Sequence, residues 1–143
     1  MSDGFTVSHI GLCVSDLERS LRFYCDGLGF TAVERHAIGN EFADALEVAR
    51  DVVLTSQFIR REGMAIELLY YESPAPDGAA STSRSRIGLT HLSFIVDDID
   101  AAVDRLVDCG GTLLEATRTK QPGIDLVFLA DPDGVRVELM QMG

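Results

Sequence analysis

The stretch VSHIGLCVSD, residues 7–16, returns later in the chain as LTHLSFIVDD, residues 89–98. Laid over one another, the two match His9 with His91, Val14 with Val96 and Asp16 with Asp98, and the match continues to Asp26 with Asp108 and Gly29 with Gly111. Each copy alternates apolar residues up to an acidic cluster, the pattern of a strand and its stop. A helical pattern follows each. In SDLERSLRFYCDGLG, Ser15 and Glu18 form a capping box, Leu17, Leu21, Tyr24 and Leu28 an apolar stripe, and Gly29 the end. In DDIDAAVDRLVDCGG, Asp97 is the expected cap, Ile99, Ala102, Val103, Leu106 and Val107 the stripe, and Gly110 with Gly111 the stop.

Both halves close in a hairpin pattern. VVLTSQFIRREGMAIELLYY turns at Arg61-Glu62-Gly63, and IDLVFLADPDGVRVELMQ turns at Asp131-Pro132-Asp133-Gly134. Aligned on Gly63 and Gly134, the closing strands set Glu67 against Glu138. The first half is the longer, and HAIGNEFADALEVAR, residues 36–50, reads as the loop that holds its extra residues, His36 among them. SPAPDGAASTSRSR, residues 73–86, is a linker by composition. The expected architecture is α+β: one domain over residues 1–143, built from two βαβββ modules at 5–72 and 87–142. A module with one helix has two sheet faces to cover, so its second face needs the other module.

Composition narrows the function classes. The 143 residues suit a single core, 46% are hydrophobic and 24% charged, and no apolar run nears the roughly 20 residues that span a bilayer. MSDGFTV has neither a basic region nor an apolar signal core, so a cytoplasmic protein is expected. Three cysteines, far apart, argue against a disulfide framework or a zinc knuckle. A net charge of −11 repels a phosphate backbone and disfavours nucleic acid.

Strand alternation decides which face each residue sees. His9 shares a face with Val7, Gly11 and Cys13, opposite the Ile10, Leu12 and Val14 face on which a helix packs. His91 shares one with Leu89, Ser93 and Ile95, Glu67 with Ala65 and Leu69, and Glu138 with Arg136 and Met140. All four polar residues are able to point to one concave side. Two carboxylates buried together need a cation, and two imidazoles with two carboxylates around a divalent metal satisfy charge and lone pairs at once. A two-His, two-Glu metal site is the economical reading.

Over VSHIGLCVSDLERSLRFYCDGLGF, GLTHLSFIVDDIDAAVDRL and LVFLADPDGVRVELMQ the chain resembles the vicinal oxygen chelate superfamily, the glyoxalase, bleomycin-resistance and dioxygenase group. The resemblance implies curled mixed sheets forming an open cup around one divalent metal ion per site, Zn, Ni, Co, Mn or Fe(II), with His9, Glu67, His91 and Glu138 as ligands. It also implies a homodimer, the ligands coming from one chain or from two. A small-molecule substrate with vicinal oxygens would chelate the ion, which would lower the barrier to removing a proton beside a carbonyl and hold an enediolate.

Similarity to glyoxalase I makes Glu138 the first choice of base and Glu67 a ligand or its counterpart. Four ligands set the chain apart from extradiol dioxygenases and fosfomycin-modifying transferases, which use three. Glu67 stands where methylmalonyl-CoA epimerases generally have Gln, although the ELL wording is epimerase-like, and LLYYESPAP lacks the Asn-Trp-type segment of glutathione-dependent glyoxalases. Bleomycin-binding members favour Trp and lack the ligands, whereas this chain has no Trp and four candidates. The expected function is therefore a metal-dependent, glyoxalase I-like lyase or isomerase. Arg136 and Cys13 are the candidate substrate contacts, and Arg84, Arg86, Arg118 and Lys120 read as surface charge.

Overall fold

A computed structural model describes residues 3–143. Its order is β1 (Ile10–Val14), α1 (Leu17–Leu21), β2 (Thr31–Ile38), β3 (Val53–Arg61), β4 (Met64–Ser73), β5 (Leu92–Ile95), α2 (Ile99–Asp108), β6 (Thr112–Gln121), β7 (Ile124–Ala130) and β8 (Arg136–Met142). The strands form two four-stranded mixed sheets, ordered β1-β4-β3-β2 and β5-β8-β7-β6. In each, the first strand runs parallel to the last and the others are antiparallel. This is the expected α+β class. No helix among the described residues is long and apolar enough to cross a membrane.

The chain divides into two compact units, one of residues up to Leu17 with Gly29–Asp77, the other of Glu18–Leu28 with Gly78–Gly143. The first helix thus groups with the second sheet. Within that unit the Arg22 guanidinium donates to the Asp108 carbonyl at 2.5 Å, and Arg105 donates to the Asp26 carbonyl through Nη2 at 2.7 Å. Glycine permits the close approach: a Cβ at Gly111 would lie 2.7 Å from the Phe23 ring, and one at Gly27 3.0 Å from Leu106.

Local structure departs from the simple patterns in three places. Beyond α1 the chain widens into a π-helical segment, Arg22–Gly27, with the Leu28 N–H bonded to the Phe23 carbonyl. Leu17 and Tyr24 are buried as expected, but with the wider turn Phe23 is buried beside them while Leu21 and Leu28 are only half-buried. In α2 the cap is Asp98, not Asp97: its side chain accepts from the Ala101 N–H at 3.0 Å. Ile99, Val103 and Leu106 are buried as expected, but Val107 is exposed. His36 is not a loop residue. It lies in β2, paired with Ser56 of β3, because the strand continues to Ile38 and the irregular segment starts only at Gly39.

The hairpins turn where the sequence places them. Glu62 and Gly63 both have positive φ, 52° and 83°, the geometry of a two-residue β-turn whose twist matches its strands. Between β7 and β8 the Asp131 side chain accepts the N–H groups of Asp133 and Val135 at 2.9 and 2.8 Å. It also accepts the hydroxyl of buried Tyr24 at 2.7 Å. Burial raises the Asp131 pKa above the ordinary aspartate value, and burial together with Asp131 holds the Tyr24 phenol well above its own.

Candidate metal centre

The closing strand of each sheet presents its glutamate directly beside the first strand. Glu67 on β4 stands opposite Gly11 of β1 and Phe58 of β3, and Glu138 on β8 stands opposite Ser93 of β5 and Phe128 of β7. The histidines sit one residue ahead of β1 and β5. His9 Nε2 lies 3.2 Å from Glu67 Oε1, and His91 Nε2 lies 3.7 Å from Glu138 Oε1. The side chains match in exposure as well, 32% and 17% in the first pair against 30% and 16% in the second. Each unit thus holds one His–Glu pair. No cluster of three or more metal-ligating side chains forms among the described residues.

The support of the two imidazoles is also repeated. Ser8 Oγ lies 2.7 Å from His9 Nδ1, and Thr90 Oγ1 lies 2.6 Å from His91 Nδ1. Phe58 meets the His9 ring edge-on at 4.9 Å, and Phe128 meets His91 in the same way at 5.1 Å. The strand alternation marked the two glutamates, whereas the hydroxyls and phenyl rings were missed. Their signal was present: Ser8 and Thr90 precede the matched histidines, and Phe58 and Phe128 occupy corresponding strands of the two hairpins. Hydrogen bonding at Nδ1 and an aromatic edge fix the ring, leaving Nε2 toward the carboxylate.

Serine hydroxyls hold the carboxylates. Ser56, fully buried on β3, donates to Glu67 Oε2 at 2.5 Å, and Ser93 donates to Glu138 Oε1 at 2.8 Å. Glu138 Oε2 accepts no hydrogen bond among the described residues. The donor set fits a divalent cation: imidazole nitrogen and carboxylate oxygen converge within each pair, and the second nitrogen and a carboxylate oxygen are held from behind.

Other residues share these faces. Exposed Cys13 pairs with Leu69 on the face of Glu67, and Tyr71 lies on that face too, its phenol raised above its ordinary pKa by burial, Cys13 and Glu67. His36 joins them through its pairing with Ser56, its ring 6.2 Å from Phe58. At the far end, Ala43, Val52 and Leu54 form a small buried cluster with Leu69 and Tyr71. The Asn40 side chain ties the cluster's loop by accepting the Val52 N–H at 2.8 Å. Arg136 lies on the face of Glu138, two residues before it. Arg118 is committed elsewhere, forked onto Asp125 at 2.6 and 2.7 Å and reaching Asp100 at 3.0 Å. Those bonds raise its pKa and lower that of Asp125.

Paired βαβββ order, with a His–Glu pair repeated in each unit, is shared with a known family. Residues 6–139 match the Glyoxalase/Bleomycin resistance protein/Dioxygenase superfamily, and the chain belongs to it. It is 34% identical to the uncharacterized protein YaeR of Escherichia coli, covering 94% of this chain and 95% of that protein. It is 27% identical to a probable lactoylglutathione lyase of Synechocystis, covering 93% and 92%. A crystal structure of a glyoxalase family protein from Bacillus cereus superimposes with a TM-score of 0.82 at 18% identity, over 99% of this chain and 98% of that one. That likeness is one of fold.

Proposed function

We propose that the protein is a divalent-metal-dependent lyase or isomerase of the glyoxalase I type, with His9, Glu67, His91 and Glu138 as ligands. The observation that carries this reading is the duplicated His–Glu contact, reproduced with a hydroxyl on Nδ1, an aromatic edge on the ring and a serine on the carboxylate. A divalent cation held there supplies Lewis acidity to a substrate carbonyl and eases loss of the neighbouring proton. Glu67, bonded at both oxygens, holds position. Glu138, whose Oε2 accepts no hydrogen bond among the described residues, takes and returns the proton at that atom. The lactoylglutathione lyase name of one relative supports a substrate with adjacent oxygens.

The reading places the centre in a homodimer, the His9–Glu67 pair of one subunit joining the His91–Glu138 pair of the other. It is supported by the exposed apolar residues ahead of each histidine, Phe5 and Val7 in one unit and Ile87 and Leu89 in the other. The first test is elemental analysis of the purified protein against His91→Ala. About one divalent ion per chain, lost in the variant, is expected. A wild type that takes up no Ni, Co, Zn, Mn or Fe(II) rejects the reading. Mixing His9→Ala with His91→Ala subunits then tests the pairing: intersubunit centres regain metal in the mixed dimer, whereas centres within a chain stay empty.

A further inference from the structure

The segment between the repeats is drawn against the start of β8. Ser81 Oγ donates to the Ser83 carbonyl at 2.8 Å and accepts the Ser83 N–H at 3.1 Å, and the hydroxyls of Ser83 and Ser85 meet at 2.9 Å. Ala80 lies over Gly134, where an added Cβ would be 3.6 Å from its methyl. Arg84 anchors the far end, donating to the carbonyls of Ser81 at 2.5 Å and of Thr90, the residue before His91. Arg136, on the Glu138 face, donates to the Gly134 carbonyl at 2.8 Å.

The contact of Ala80 with Gly134, the bond of Arg84 to the Ser81 carbonyl and that of Arg136 to the Gly134 carbonyl set the two guanidiniums on adjoining main-chain segments, and burial and the charge of Arg136 hold Arg84 below the ordinary arginine range. Neither pairs with a carboxylate among the described residues, although the chain has 23 acidic residues against 12 Lys and Arg. Each bonds only main-chain carbonyls among the described residues, and each keeps N–H donors unused. Two half-buried guanidiniums without an acidic partner complement a shared oxyanion, because each fork offers paired donors in the plane of a carboxylate.

We propose that Arg84 and Arg136 form an oxyanion cleft that seats the carboxylate of an acidic small-molecule substrate beside the His91–Glu138 pair. That the occupant is the substrate rests on the metal-centre reading; the cleft itself does not. A 2-oxo acid has the matching chemistry, a carboxylate next to a carbonyl, and pyruvate is the simplest probe.

The experiment follows arginine Nε–H signals of the isotope-labelled, chelator-treated full chain during titration with pyruvate and with its neutral amide. Two signals, assigned through Arg84→Lys and Arg136→Lys, move together and saturate with pyruvate and stay still with the amide. Each lysine variant keeps the charge but loses the fork, and weakens binding roughly ten-fold or more. Arg86→Gln leaves the affinity unchanged. Shifts that never saturate, an equal response to the amide, or an equal loss in Arg86→Gln overturn the proposal. Metal content measured on the same preparations separates the two readings. Pyruvate binding in protein that takes no metal upholds the cleft while rejecting the metal centre, and metal uptake without pyruvate binding rejects the cleft.

Discussion

The two His–Glu pairs are copies that differ in how their carboxylates are held. In the first unit, Glu67 meets His9 through Oε1 and the buried Ser56 hydroxyl through Oε2. In the second, Oε1 of Glu138 meets both His91 and Ser93, and Oε2 accepts nothing among the described residues. The divergence comes from two positions: Gly11 against Ser93, and Ser56, which lies opposite Leu69, against Leu126, which lies opposite Met140. Opposite Glu67 the parallel strand has Gly11, so the hydroxyl comes from β3; opposite Glu138 it has Ser93, so the hydroxyl comes from β5. A carboxylate pinned at both oxygens is suited to holding an ion, and one with an unclaimed oxygen is suited to moving a proton.

The largest expected effect tests that division. Glu138→Gln lowers kcat by about 10²–10⁴-fold while retaining most of the metal, since the amide oxygen still offers a donor. Glu67→Gln acts first on metal content. Equal kinetic and metal-binding losses in the two variants would erase the distinction. Next in size is the hydroxyl that holds Glu67: Ser56→Ala weakens metal affinity by about 10–100-fold. Adding Gly11→Ser supplies the hydroxyl from the other strand, as in the second unit, and recovers part of that affinity. There is room for it, as a Cβ at Gly11 lies 3.5 Å from the Leu69 side chain. Competition with a metal-sensitive dye reads both.

Glycine contrasts give the next step. Gly111→Ala forces a methyl against Phe23 and the Leu106 carbonyl and costs about 1–3 kcal/mol in urea unfolding, whereas Gly11→Ala meets only ordinary contact and stays near wild type. The smallest effect is a pH dependence confined to the second unit. Asp131 has a folded pKa above its unfolded value near 3.8, so the folded state binds its proton more tightly. The corresponding stability is fully present below that unfolded value and is lost as pH rises through the raised folded pKa. Asp131→Asn flattens this part of the unfolding profile.

Much of the scaffold was legible because a repeat is a double measurement. A lone strand histidine says little, but His9 and His91 at matched positions, each followed by a closing strand with a glutamate, mark a shared face. Alternation then placed Cys13 and Arg136 on the faces that they occupy. His36 and Tyr71 escaped the reading: His36 sits ahead of a Gly-Asn break and looked like loop, and Tyr71 lies in an apolar run whose residues differ only by alternation. The expected cap at Asp97 fell one residue short of Asp98 because either aspartate satisfies the local pattern.

The residues by themselves determined the duplicated strand–helix–hairpin order, the faces that carry the histidines and glutamates, and both closing turns, all of which follow from local periodicity and backbone preference. Only the tertiary structure decided that the first helix packs with the second sheet, that Ser56 reaches Glu67, and that the segment carrying Arg84 lies against Gly134, whose carbonyl Arg136 holds. Those contacts join residues far apart in the chain. They depend on packing volume and strand register, which no short window of sequence contains.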